Sequence, residues 1–208
     1  MEFMDALEAR WACKLYDETQ DVRPEEEKLI LEAGRLAPTS FGLEHWRFVS
    51  VRGQTPRLQL YGACLAQDGV RTAPLVVIIL VRQAWFYEPD SDFVRARAAR
   101  FPGGWPVFFD DYKGYHQWLE EEKLTGHWAR AQAYLACANM MNAASSIGVD
   151  SCAIEGYKEA EVLDIVSQAA PGFDAADWRV GLLVTFGHAS EPRRQRIRAS
   201  IEELVLKI

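Results

Sequence analysis

The sequence predicts a single α+β domain, and three observations carry that expectation. Residues 74–80 ("PLVVIIL") and 178–186 ("WRVGLLVTF") read as strands, the first continuously apolar and β-branched, as a strand covered on both faces is. Between them, residues 127–147 repeat apolar side chains at helical spacing, so helices and strands mix along the chain. At 208 residues and 49% hydrophobic content the chain can bury a sizeable core, and no repeat, low-complexity linker or domain boundary divides it.

The elements follow in order. Met4, Leu7 and Trp11 lie at helical spacing, with Glu2, Asp5 and Glu8 elsewhere around the turn, which predicts an amphipathic helix ending at Arg10. A second helix starts at Pro24, whose ring suits the first helical position, and Glu25, Glu26 and Glu27 complement the positive end of its dipole. Pro38 stops it. "WRFVSV" (46–51) predicts a strand, and "PRLQLYGACLAQ" (56–67) a helix ahead of the buried strand. The helix over 127–147 sets Trp128, Ala131, Leu135, Ala138 and Met141 on one face, with Gly148 as its cap. "SCAI" (151–154) is then a short strand, "EAEVLDIVSQ" (159–168) a helix, and the last strand closes the order.

A formal net charge of −7 argues against general nucleic-acid affinity, which needs a cationic surface to displace counterions from phosphates. The longest strongly apolar run, 75–81, is too short to span a bilayer, and the acidic start "MEFMDALEAR" lacks the basic and apolar regions of a signal peptide. A cytoplasmic protein with no membrane partner is expected. Cys13, Cys64, Cys137 and Cys152 are scattered singly, with no Cys-x-x-Cys and no His at ligand spacing, so neither a metal site nor a disulfide framework is predicted. Cys152 reads as a small buried apolar residue.

Between Val81 and Leu124 the periodicity breaks down and aromatics crowd together, among them Trp85, Tyr87, Trp105, Phe109 and Trp118. Two readings stand: a packing or dimer surface, or a lid and substrate wall over a flat ligand at about residues 84–122. Three polar clusters could carry chemistry. Arg10 and Lys14 stand four apart where a helix turns into a strand. The loop 38–42 offers the Thr39 and Ser40 hydroxyls, Phe41 and a flexible Gly42. "EPRRQRIR" packs Arg193, Arg194, Arg196 and Arg198 into one tail. Arginines so close repel one another unless an anion joins them, and their planar forks match phosphate. A solvated basic end is the other reading of that tail. With no Walker A sequence and no G-x-G-x-x-G after a strand, neither a P-loop nucleotide nor a Rossmann-bound dinucleotide is indicated.

The ordered motifs "RWACKLYD", "LAPTSFGLEHWRF" and "GVDSCAIEGYKEAEVLDIV", followed by the Arg-rich tail before "IEELV", resemble those of the FMN-dependent nitroreductase family over nearly the whole chain. The resemblance implies an α+β fold with a central mixed, mainly antiparallel sheet flanked by helices, in an intertwined homodimer that binds two FMN molecules at the subunit interface. It also implies the cofactor-binding residues. Arg10, Trp11, Ala12 and Lys14 come from the first motif. Pro38, Thr39, Ser40, Phe41 and Gly42 reach FMN held mainly by the partner, Glu155 and Gly156 lie at the redox-active edge of the ring, and Arg196 and Arg198 hold the phosphate. A cation such as Lys14 near flavin N1 and O2 stabilises the reduced form, and the Gly156 N–H can reach N5. The chain departs from the family pattern at Ala12 (usually Ser), Glu44 (Gln), His45 (Pro) and Ala66 (an Asn that touches the ring), with Gln67 placed to substitute for the last.

The implied function is an FMN-dependent NAD(P)H oxidoreductase of nitroreductase type. NADH or NADPH delivers hydride to flavin N5, and a nitroaromatic, quinone or similar flat acceptor takes the electrons in a ping-pong cycle. The flavin carries the chemistry, so no protein general acid or base and no metal is expected. Two alternatives stay open: a non-catalytic flavin-binding homodimer, a carrier or sensor, motivated by Ala12 and Ala66; and a specialised flavin enzyme such as a dehalogenase.

Overall fold

The computed structural model describes residues 2–208. Helices α1 (Phe3–Ala9) and α2 (Pro24–Arg35) precede strand β1 (Trp46–Val51), and α3 (Gln54–Ala63) and α4 (Asp68–Thr72) lead into β2 (Leu75–Arg82). Helices α5 (Asp92–Ala98), α6 (Gly104–Glu121) and α7 (Thr125–Ser146) fill the middle. Then come β3 (Asp150–Ile154), α8 (Glu159–Ala169), β4 (Trp178–Gly187) and the single turn α9 (Ile201–Leu204). The strands lie in the order β1-β2-β4-β3 and every pairing among them is antiparallel, so the α+β class read from the sequence is the class found.

Alternation along β2 explains why residues 75–81 have no polar position. Val76, Ile78 and Leu80 pack with Leu60, Val162 and Val166 under α3 and α8. Leu75, Val77, Ile79 and Val81 pack with Ile30, Ala133, Ala136 and Met140 under α2 and α7. Each of these Val, Leu, Ile and Met side chains stabilises the fold by about 1.5–3 kcal/mol relative to exposure. The β2–β4 register shifts between Ile79 and Leu80, where Gly181 is left unpaired as a bulge. Glycine is required there, because a Cβ would stand 2.7 Å from the Ala133 Cβ and 2.9 Å from the Ile79 carbonyl oxygen.

Helix ends follow the local chemistry. At α2, the Glu26 carboxylate accepts the Arg23 N–H at 2.8 Å just ahead of Pro24, satisfying a donor the helix leaves unpaired. Gly148, at φ 80°, turns the chain after α7 as expected of a cap. Three expectations need correction. Trp11 lies beyond the end of α1, and Met4 is exposed. The helix expected over 56–67 stops at Ala63, because Leu65 and Ala66 adopt left-handed backbone at φ 57° and 54° and turn the chain into α4. On α7 the buried side is Trp128, Ala129, Gln132, Ala133, Ala136 and Met140, whereas Ala131, Leu135 and Ala138 face outward. Small residues such as Ala133 let this helix approach the sheet at Gly181, and Leu135 lies on the outward strip with Ala131 and Ala138.

The largest difference lies between Val81 and Leu124. No irregular stretch dominates it: α6 alone runs for 18 residues and points Phe108, Tyr112, His116 and Leu119 inward. With Leu43, Tyr87 and Trp128, the residues Phe108, Tyr112 and Leu119 form a third small core. The helical period is hidden because Trp105, Phe109 and Trp118 occupy the other faces, and Pro106 sits in the first turn, where its missing N–H is harmless. Packing therefore accounts for Tyr87, Phe108 and Tyr112, while Trp85 and Trp118 stay 55% and 46% exposed.

Candidate functional site

The two ends of the chain meet beside β3. The Cys13 N–H donates to the Ser151 carbonyl at 3.1 Å, and Ala12 bridges Ser151 in parallel, so the segment after α1 runs along the outer edge of the sheet. The buried Asp150 carboxylate is the clamp. Its Oδ1 accepts the Trp11 indole N–H at 2.8 Å and pairs with Arg193 at 3.2 Å, while Oδ2 accepts the Ala189 N–H at 3.1 Å. This joins the N-terminal segment to the tail that follows β4. A cleft of about 440 Å³ results, lined by Arg10, Trp11, Ala12, Lys14 and residues 194–198.

The charge in that cleft is one-sided. Arg193 and Arg194 pair with Asp150 and Glu191, but among the described residues Arg10, Lys14, Arg196 and Arg198 join no ion pair. Their polar contacts are to neutral groups: Arg196 donates to the Arg10 carbonyl, Arg198 to the Ile197 carbonyl at 2.7 Å, and Lys14 Nζ to Cys152 Sγ at 3.1 Å. Partial burial, and then the charges of Arg196 and Arg198, hold the Arg10 guanidinium below its ordinary pKa. Like charges about 4 Å apart repel by roughly 1–4 kcal/mol between water and a protein surface. Such a group favours an anion with several acceptor oxygens, and the guanidinium forks match phosphate. The donor set therefore fits a flavin phosphate without the hydroxyl that Ala12 lacks.

A second set lies at the C-terminal end of β3. Gln67 Nε2 donates to the Gly156 carbonyl at 2.9 Å and to the Cys64 carbonyl at 3.0 Å, pinning the turn after β3 to the end of α3. Both amide hydrogens are thereby engaged, and Oε1 is the group Gln67 can still offer a ligand. The Gly156 N–H meets no protein acceptor among the described residues. A Cβ at position 156 would stand 3.2 Å from Leu65 Cδ1 and 3.3 Å from Gln67 Nε2, so glycine suits this close approach. Exposed Glu155 accepts a hydrogen bond from the Tyr134 hydroxyl, whose pKa is pushed up to about 12 by burial and then by that bond.

The loop 38–42 does not line the cleft of its own chain. The Ser40 N–H donates to Gln132 Oε1 at 2.9 Å, and Thr39 Oγ1 accepts the Glu44 N–H at 3.1 Å. Phe41, at φ 54°, packs on α6 with its ring 5.1 Å from Tyr112 and 5.9 Å from Phe108. The expected residues thus fall into three groups: Arg10, Trp11, Ala12, Lys14, Arg196 and Arg198 in the cleft; Gln67, Glu155 and Gly156 at the end of β3; and Pro38, Thr39, Ser40, Phe41 and Gly42 in a loop against α6. Trp11 turns its indole inward to Asp150. Sequence reasoning missed Asp150, Gln132, Tyr134 and the contact made by Cys152. An acid at the mouth of a strand was a readable signal for Asp150, whereas the partners of Gln132 and Tyr134 lie 92 and 21 residues away.

Among the described residues no group of three or more His, Cys, Asp or Glu side chains could hold a metal ion, and no helix is long and apolar enough to cross a membrane. A family model described as the Nitroreductase family matches residues 7–188. A Staphylococcus epidermidis protein, SERP2086, named for an inferred NAD(P)H nitroreductase activity, is 32% identical over 209 residues, covering 97% of this chain and 94% of its own. A solved S. epidermidis structure, described as an inferred NAD(P)H:FMN oxidoreductase, is similar with a TM-score of 0.81 at 18% identity, covering 100% of this chain and 96% of its own. An inferred nitroreductase of Exiguobacterium sibiricum, solved in complex with FMN, has a TM-score of 0.75 at 19% identity over 100% of this chain and 98% of its own. At those identities the solved structures establish a shared fold.

Proposed function

Because this chain belongs to the Nitroreductase family, we propose that it is an FMN-dependent NAD(P)H oxidoreductase, acting as a homodimer on nitroaromatics, quinones or similar flat acceptors. The observation that carries this reading is the convergence of Arg10, Lys14, Arg196 and Arg198 on one cleft with no carboxylate to neutralise them. When bound, FMN would supply N5 as the acceptor of hydride from NADH or NADPH and the source of electrons for the acceptor, in a ping-pong order. The chain's own residues bind and tune. Arg196 and Arg198 would hold phosphate oxygens, Arg10 would lie by the ribityl chain, and Lys14 would offset negative charge at the pyrimidine edge. Trp11 and Ala12 give the cleft its wall. The Gly156 N–H would donate toward N5, with Glu155 beside it, and Gln67 Oε1 would be offered to the ring in place of the family's Asn.

Surface that one copy leaves uncovered supports the dimer reading. In the tail, Ile197, Ile201, Leu204 and Leu206 are 85%, 65%, 69% and 88% exposed, and Leu135 on the outward strip of α7 is 42% exposed. Large apolar side chains left exposed in such numbers suit coverage by a partner surface. A second copy covers these residues and brings its loop 38–42, with Thr39 and Ser40, to the neighbour's cofactor. The aromatic surface of α6, with Trp118 outermost, then forms the substrate wall.

The test is an absorption spectrum of the purified protein, with its size in solution, followed by anaerobic NADH or NADPH and then a nitroaromatic or quinone. Flavin bands that bleach with the nicotinamide and return with the acceptor are expected from a dimer. Bound flavin that stays oxidised would leave a non-catalytic carrier, and no flavin uptake even with added FMN would end the reading.

A further inference from the structure

We propose that Cys152 is a positioning residue for Lys14: its thiol holds the ammonium at one point on the cleft wall, and that placement sets how strongly the site favours the reduced cofactor. The inference rests on the FMN reading given above. Cys152 lies within β3, paired with Thr185 of β4 and 2% exposed, so its sulfur is fixed by the sheet. Lys14 Nζ donates to that sulfur at 3.1 Å. The thiol's own hydrogen is directed to the Ala153 carbonyl, with Sγ 3.3 Å from that oxygen, which leaves the sulfur lone pairs to face Lys14.

Two physical arguments give the contact a role. Lys14 is an exposed side chain on a flexible stem, and the positive charges of Arg10, Arg196 and Arg198 on the same cleft drive its ammonium toward solvent. An acceptor behind it opposes that drift. A carboxylate would do so more strongly, but it would cancel the charge that the cleft offers a ligand. A thiol whose hydrogen is directed to the Ala153 carbonyl holds the ammonium by its lone pairs and leaves the charge of the cleft in place. The cofactor carries more negative charge when reduced, so a held cation favours that state more than a wandering one does. Cys13, the neighbouring thiol, directs its own hydrogen to the Leu15 carbonyl at 3.2 Å, and among the described residues Lys14 reaches Cys152 and not Cys13.

The experiment compares wild-type holoprotein with Cys152→Ala, Cys152→Ser, Lys14→Met and the Cys152→Ala/Lys14→Met pair. FMN affinity is measured by fluorescence titration of the apoprotein, and the two-electron potential by equilibration with reference dyes. Cys152→Ala is expected to bind oxidised FMN within about threefold of wild type, because the arginines are untouched. Its preference for reduced over oxidised flavin should fall about tenfold, which lowers the potential by about 30 mV. Serine should restore it, and alanine at 152 should change nothing further once Lys14 is Met. An unchanged potential in Cys152→Ala would overturn the proposal, as would an equal drop in the Lys14→Met background, where the effect could not pass through Lys14. A wild-type protein that binds no FMN would overturn the cofactor reading itself, and that outcome appears before any variant is compared.

Discussion

Acidification should weaken this fold through one buried ring. His45 is completely buried, with its ring 4.4 Å from that of Trp128 and 4.9 Å from that of Tyr87, and among the described residues neither ring nitrogen has a partner. Burial pushes its pKa down to about 3. In the unfolded chain the imidazole takes a proton below about pH 6.5. Between that value and about 3 the unfolded state therefore binds more protons than the folded one, and stability falls as pH falls through this window. At pH 5 the unfolded imidazole is protonated by about thirty to one while the folded one stays neutral, so the loss relative to pH 7 is about 2 kcal/mol. That is a large share of a typical total of roughly 5–15 kcal/mol. Asp17, held at about 2 chiefly by hydrogen bonds from Thr19, titrates below the range in which His45 is first felt. Urea unfolding followed by tryptophan fluorescence at pH 7, 6 and 5, with FMN in excess, measures the slope. His45→Phe should flatten it by about 2 kcal/mol and should be at least as stable at pH 7, because it removes two unpaired buried nitrogens. An undiminished slope in His45→Phe would refute the reasoning.

The double variant Arg196→Ala/Arg198→Ala removes two charge-assisted contacts worth about 1.5–3 kcal/mol each, so FMN should bind at least about a hundredfold more weakly in a fluorescence titration. Unchanged affinity would place the phosphate elsewhere. Gly181→Ala forces a methyl against Ala133 and the Ile79 carbonyl, neither of which is a flexible side-chain end, and should cost about 1–3 kcal/mol in urea unfolding. Wild-type stability in that variant would mean that α7 does not press on the bulge.

Local chemistry was legible along the chain. The continuous apolar run of β2, the Pro24 start of α2, the Gly148 turn and the cationic character of residues 10, 14, 196 and 198 all act over a few residues, and each reads directly. Where a segment carries aromatics on every face, periodicity loses its contrast, and α6 was hidden for that reason. On α7 the rule that large apolar residues point inward failed because Ala133 and Ala136, not Leu135, fit against the sheet.

By itself the sequence determined the class of fold, most of the elements and the kinds of side chain available for an anion. Tertiary structure alone decided that Arg10 and Arg196, 186 residues apart, share one cleft; that Asp150 ties the two chain ends together; and that Lys14 rests on a buried thiol. Propensity and charge are properties of neighbouring residues. The meeting of distant ones depends on which packing of the sheet and helices closes the long loops between them, and that packing is a property of the whole chain.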